Sequence, residues 1–375
     1  MVHDKLHVVE EASAITRRDF LKGAVAVTVG AGLALSSSDS QVDAAVETAP
    51  KLATRVLGRT KLKVTVVSFG GLQIQNRAIL DMAIDRGINL IHTSPGYGRG
   101  RSIQIFGEVM KTKREKVYLA LKLAPTDNID RWLKVLNTDY VDILVPPAHN
   151  VRAVRNPRWQ EAYERLKKAG KVRFAGFACH NNIPAVMEAA IKLGYFDVML
   201  VAYNMANRAQ IDPILKRAKQ KGIGFMAMKV TRGLNRRQPK LFIAGLKGLL
   251  TNKDVDTLLI GMASFNDVQL NLQVASGRLT KAEAQLLEQH LATVALACSM
   301  CGACDICPRG VSVADIMRCY EYAERGEVEL AAEVYRTLPP DGTALNCTDC
   351  GKCEAACPKG IPVVKRIYEV HKMVT

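Results

Sequence analysis

From Lys63 onward, short apolar runs alternate with longer stretches whose apolar residues recur every three or four positions. The short runs read as strands at Val64–Phe69, Asn89–Thr93, Val117–Leu123, Tyr140–Val145, Val172–Ala178, Phe196–Tyr203, Gly224–Val230 and Val255–Gly261. Between them lie helical patterns such as Asn76–Arg86, Arg158–Ala169, Pro184–Leu193 and Asp212–Lys221. Gly87, Gly170, Gly194 and Gly222 follow these four helices, where a left-handed residue ends a helix without a Cβ penalty. Near-continuous apolar strands alternating with helices imply a parallel sheet buried on both faces. Eight such units predict an α/β fold, a closed (β/α)8 TIM barrel over residues 52–293. A doubly wound open sheet is the alternative, but no G-x-G-x-x-G follows the first strand.

In such a barrel, functional side chains gather at the C-terminal ends of the strands. Two ends carry polar chemistry. Strand two runs into Ile91-His92-Thr93-Ser94-Pro95-Gly96-Tyr97-Gly98, and strand three ends in Leu121-Lys122. An ammonium near a phenol favours the phenolate, so Tyr97 beside Lys122 would act as a proton donor to a developing alkoxide. His92 is a third candidate, as a substrate-binding or relay group. Cys179 and His180 read as core or peripheral residues.

The cysteines change the picture beyond residue 293. Of the ten in the chain, nine lie after residue 297 and eight form two runs. Cys298, Cys301, Cys304 and Cys307 precede Pro308, and Cys347, Cys350, Cys353 and Cys357 precede Pro358. Thiolates at two-residue gaps suit soft iron. Zinc would more often use two separated C-x2-C pairs, and disulfides remain open for an exported chain. The second run resembles the ferredoxin motif C-x2-C-x2-C-x3-C-P, and the first is one residue shorter before its last cysteine. That resemblance implies a small α-helical ferredoxin-like iron-sulfur domain at 294–375 with two [4Fe-4S] clusters. By analogy with two-cluster ferredoxins, Cys298, Cys301, Cys304 and Cys357 would hold one cluster. Cys347, Cys350, Cys353 and Cys307 would hold the other. Cys319 is left over as core. Val313–Tyr322 and Glu327–Tyr335 read as amphipathic helices that pack the clusters against the barrel.

The first 44 residues read as an address. Thr16-Arg17-Arg18-Asp19-Phe20-Leu21-Lys22 is a twin-arginine motif, and the apolar run Gly23–Leu35 is shorter than the roughly 20 residues of a membrane span. Cleavage is expected after Ala44, with no stable membrane span after signal removal. The twin-arginine export machinery carries folded proteins, so a periplasmic or other extracytoplasmic location follows, with cofactors inserted beforehand. Composition adds little. With 48% apolar and 23% charged residues the chain is globular, and its net charge of +16 is scattered without an aromatic-interleaved basic stripe, so nucleic acid is not expected as a partner.

Taken in order, further motifs give the barrel a relative. Leu57-Gly58-Arg59-Thr60 with Val64–Gly71, Gly87–Ile91 with Tyr97-Gly98, Gly170–Arg173 with Gly176, Tyr203-Asn204, Ala227-Met228-Lys229, and Gly261-Met262 with Asn271 resemble the aldo-keto reductases over Leu52–Leu291. The resemblance implies a catalytic Tyr97 and Lys122, and NADP(H) held through Asn204, Lys229, Ser264 and Asn271. It also marks departures. His92 stands where the family has an aspartate, and Pro147 where it has a histidine, with His149 two residues later. Ala178, Cys179 and Leu200 replace the residues that hold the nicotinamide amide. The expected function is an exported iron-sulfur oxidoreductase coupling cluster electron transfer to redox chemistry on a small carbonyl- or alcohol-type substrate. A nicotinamide would be trapped before export, or replaced by the clusters as electron source. The alternative is an electron-transfer protein whose barrel docks a redox partner protein. Clusters kept only for structure form a third possibility.

Overall fold

The computed structural model describes residues 52–375 apart from 276, 296 and 325, and the twin-arginine segment lies outside these residues. Ala49–Thr375 form one compact unit. Eight parallel strands close into a barrel: β1 (Val67–Gly70), β2 (Leu90–Thr93), β3 (Tyr118–Leu121), β4 (Val141–Leu144), β5 (Val172–Cys179), β6 (Val198–Ala202), β7 (Gly224–Met228) and β8 (Thr257–Gly261). Each strand pairs with the next, and β8 returns to β1 with Leu258 opposite Val67. The expected (β/α)8 architecture is therefore present.

One expected strand is divided. Val64 and Thr65 belong to an antiparallel hairpin, Thr54–Val56 against Lys63–Thr65, and the barrel strand begins only at Val67. The break falls at Val66, whose N–H donates to Ala53 O, while the Thr65 hydroxyl donates to Val67 O and draws the chain round. The hairpin plugs the barrel. Leu57, Leu62 and Val64 are buried with the inward residues Leu90, Ala120, Ile143, Ala178, Val198, Leu200 and Met226. Gly58 seats this plug. A Cβ there would lie 2.3 Å from Gly224 N, and its φ of +49° is one that side chains disfavour.

Strand register is tied at the closed end by buried ion pairs. Asp142 on β4 accepts from Arg114 at 2.9 Å, from Arg173 at 2.6 Å and from the Leu119 N–H. Asp256 accepts from Lys219 and from the Phe225 N–H. A second core lies beyond the barrel, in Val313–Glu324, Val328–Tyr335 and Val363–Val374. Val311, Ile316, Cys319, Tyr335, Ile361 and Val370 fill it. Cys319, the leftover cysteine, is fully buried there, and burial pushes its thiol up to about 12. Among the described residues, no helix is long and apolar enough to cross a membrane.

Candidate functional site at the barrel mouth

The two cysteine runs fold alike. A left-handed residue follows each first cysteine by two positions, Met300 and Asp349. A left-handed glycine follows each second cysteine directly, Gly302 and Gly351, and another follows each last cysteine by three, Gly310 and Gly360. Each run then enters a 12-residue helix, Val313–Glu324 or Val363–Val374. This repeat was not evident from the cysteine spacings alone, which differ by one residue.

The runs enclose two chambers. One, of ≈ 460 Å³ counting the space open to solvent, is lined by Cys298, Cys301, Cys304 and Cys357, with Met317, Arg318, Ile361 and Val363. The other, of ≈ 330 Å³, is lined by Cys307, Cys347, Cys350 and Cys353, with Val311, Val313, Val364 and Ile367. Three cysteines of one run thus share a chamber with the last cysteine of the other. None of the ten cysteines is in a disulfide. Among the described residues, no three His, Cys, Asp or Glu side chains converge as a site for a single metal ion.

Polar contacts dock the first run on the barrel. Arg232, after β7, donates to Cys298 O at 3.0 Å and pairs with Glu321 at 3.5 Å. Asn207 Nδ2 donates to Ala202 O and to Ser299 O. This docking lays the helix Val313–Glu324 across the C-terminal strand ends.

Under that helix is a cleft of ≈ 680 Å³ including its open mouth, lined by His92, Tyr97, Met228, Lys229, Leu259 and Tyr322 among others. His92 sits on β2 between Gly70 and Ala120. It is 2% exposed, its Nε2 has no partner among the described residues, and burial followed by the Lys122 charge lowers its pKa to about 3. The imidazole is therefore neutral. Its ring meets Tyr97 edge-on at 5.7 Å. Tyr97 is placed by its N–H to Ser94 O, and the next residues, Gly98, Arg99 and Gly100, are all left-handed. Such a conformation is strained at Arg99. Lys122 follows β3, with its N–H on Thr93 O and its Nζ 6.0 Å from the Tyr97 ring. Burial, then Lys229 and Arg318, lower Lys122 to about 8.

Lys229, just past β7, is also left-handed, with φ +56°. Its ammonium donates to the Tyr322 hydroxyl and lies 4.3 Å from that ring's centre. Behind Lys122, His149 and His180 stack at 3.9 Å, and Arg318 Nη1 lies 3.3 Å from His180 Nε2. Both imidazoles are held neutral, chiefly by burial.

The fold thus brings His92, Tyr97 and Lys229 into one cleft, with Lys122 beside it. The other nucleotide candidates lie elsewhere. Asn204 is buried, with its side-chain oxygen accepting from the Ala206 N–H. Ser264 caps the helix Phe265–Leu272 in a reciprocal box with Asp267. Asn271 is buried, with neither amide atom partnered among the described residues. Tyr322 and Arg318 are site residues that the sequence did not single out, and the contact of His149 with His180 was not foreseen although both were named. The signal for the first two was their one-turn spacing on the helix expected to face the barrel.

Residues 73–238 match the aldo/keto reductase family. An uncharacterized oxidoreductase, YqkF of Bacillus subtilis, is 24% identical over 296 residues, 63% of this chain and 95% of that protein. The L-galactose dehydrogenase of Arabidopsis thaliana is 27% identical over 281 residues, 59% of this chain and 88% of its own. Among solved structures, the holo form of aldo-keto reductase AKR11C1 from Bacillus halodurans has the same fold, with a TM-score of 0.54 at 20% identity, covering 65% of this chain and 96% of its own. The NADPH complex of an aldo-keto reductase from Klebsiella pneumoniae superposes with a TM-score of 0.51 at 21% identity, covering 64% and 95%. The barrel is similar to the aldo/keto reductases over residues 73–238, and the chain is an aldo-keto reductase-like oxidoreductase.

Proposed function

We propose that the chain is an exported iron-sulfur oxidoreductase that acts on a small carbonyl- or alcohol-type substrate at the barrel mouth. The observation that carries this reading is the pair of four-cysteine chambers, each built from both runs. Four cysteines from two chain segments on one cavity lining match the four thiolates that a [4Fe-4S] cluster takes. Cys298, Cys301, Cys304 and Cys357 would hold one [4Fe-4S] cluster, and Cys307, Cys347, Cys350 and Cys353 the other. Such clusters supply one-electron transfer.

The chain's own residues supply the rest. The cleft has an apolar wall at Met228, Leu259 and Leu330, and offers two phenols, Tyr97 and Tyr322, to a substrate oxygen. Neutral His92 orients that oxygen through its unpartnered Nε2. These polar groups inside a cleft favour chemistry at the mouth over a barrel that serves only as a docking scaffold. Export rests on Arg17-Arg18 and the apolar run after them.

A nicotinamide fits poorly. Ala178 and Leu200 are fully buried in the barrel interior, and the Cys179 thiol bonds Asn181 O. None of the three presents an amide partner to the cleft. At Ser264, the N–H groups of Ala263 and Ser264 are already taken by the Asp267 carboxylate.

The test is iron and acid-labile sulfide analysis of the full chain purified without oxygen. About eight irons per chain are expected from two four-iron clusters. Cys307→Ala and Cys357→Ala should each weaken the chamber shared with the opposite run. A protein that folds without iron and sulfide overturns the reading.

A further inference from the structure

We infer that Tyr322, from the cysteine-bearing segment, is the proton-donating residue of the barrel-mouth site, with Lys229 as its partner. The inference rests on the oxidoreductase reading above. A phenol gives up its proton readily when an ammonium is in contact with its oxygen. The cleft holds two tyrosines and two lysines that could form such a pair. Tyr97 and Lys122 do not make it. The Lys122 ammonium is 6.0 Å from the centre of the Tyr97 ring rather than on its hydroxyl. Burial, with the Tyr322 charge next, raises the Tyr97 pKa far above the ordinary phenol value; Tyr322 is buried too, but it has the Lys229 ammonium on its oxygen to offset that cost.

Lys229 and Tyr322 do make it. The ammonium is bonded to the hydroxyl and also lies 4.3 Å over the ring. Lys229 is held there by a left-handed backbone that a lysine adopts only at some cost, a feature that concentrates at functional sites. Tyr322 is 5% exposed and lines the same cleft as His92 and Tyr97. Arg318, one turn earlier on its helix, lines the chamber of Cys298. The donor therefore stands between the cleft and that chamber, and the barrel site is incomplete without the C-terminal segment. In the step assigned to it, the Tyr322 O–H bond breaks as an O–H bond forms on a substrate alkoxide. The phenolate left behind is balanced by the Lys229 ammonium until a proton from water at the cleft mouth restores the phenol; in the direction of alcohol oxidation the same transfers run in reverse.

The charged and titratable groups that line the cleft with this phenol are His92, Tyr97, Lys229, Arg236 and Glu327, and Lys122 is near enough to feel its charge. The test needs neither substrate nor electrons. Ultraviolet pH titration of the full chain, as wild type minus Tyr322→Phe, isolates one tyrosine ionisation. A midpoint well below 10 is expected, and Lys229→Met should move it upward by at least one pH unit, a tenfold change in the ionised fraction. A midpoint at or above 10 in the wild type, or one unmoved by Lys229→Met, overturns the inference. Iron content checks that each variant folds. It also separates the two ideas: a chain without iron fails the proposed function, whereas an ordinary Tyr322 midpoint in an iron-loaded chain fails only this inference. As a second arm, reduction of benzaldehyde by reduced methyl viologen should fall about 10²-fold in Tyr322→Phe and little in Tyr97→Phe. The opposite order would return the role to Tyr97.

Discussion

Arg318 and Tyr322 stand one turn apart on the helix Val313–Glu324 and face different chambers. Arg318 lines the space enclosed by Cys298, Cys301, Cys304 and Cys357, and Tyr322 lines the barrel-mouth cleft. A single rigid helix thus forms the wall shared by the cysteine chamber and the cleft. Arg318 also reaches His180, so the wall is polar on its barrel side. An aldo/keto reductase-like barrel with this added wall has a different set of groups at its mouth from Tyr97 and Lys122 alone.

The buried carboxylate of Asp142 holds β3, β4 and β5 in register through Leu119, Arg114 and Arg173. Asp142→Ala leaves Arg114 without its buried partner and should cost about 3 kcal/mol of stability. Urea unfolding checks this. A midpoint unchanged from wild type would mean that the pairs contribute nothing net.

Lys122 gives a pH signature. Burial, then Lys229 and Arg318, bring it from 10.5 down to about 8. Between those values the unfolded chain holds a proton that the folded chain has lost, so this group makes stability rise with pH across the window. Below about pH 8 its cost is fully present. Lys122→Met should therefore be more stable than wild type at pH 7, and the advantage should fade by pH 10.5. Thermal midpoints at the two pH values check it, and a variant less stable at pH 7 contradicts it.

With Ala178 and Leu200 buried in the barrel interior and the Cys179 thiol on Asn181 O, NADPH should bind weakly. Titration of the protein into NADPH should leave the nucleotide fluorescence unchanged, and NADPH should not bleach the visible absorbance of the iron-loaded chain. Bleaching by NADPH would show that the cleft holds a nicotinamide through other groups.

Much of this was legible in the chain. Eight apolar runs with glycine-terminated helices specify the barrel, because both signals depend on neighbours within a few residues. The same holds for the cysteine spacings and for Tyr97 close after His92. The division of Val64–Phe69 was hidden, since hairpin and barrel strand are equally apolar and only the Val66 bond to Ala53 parts them. Tyr322 was hidden for another reason. It meets Lys229 across 93 residues, and the docking of Arg232 on Cys298 and Glu321, with Asn207 on Ser299, sets that meeting. Asn204, Ser264 and Asn271 follow the family order along the chain, yet order alone does not bring them into the cleft.

The most direct test of the central claim is anaerobic electron paramagnetic resonance of the full chain, before and after dithionite. The account predicts a silent oxidised protein and, after reduction, the signal of two interacting [4Fe-4S] clusters, with about eight irons per chain. Loss of the interaction in Cys307→Ala or Cys357→Ala would fit chambers built from both runs. A chain that carries no iron and gives no signal after dithionite would contradict the account.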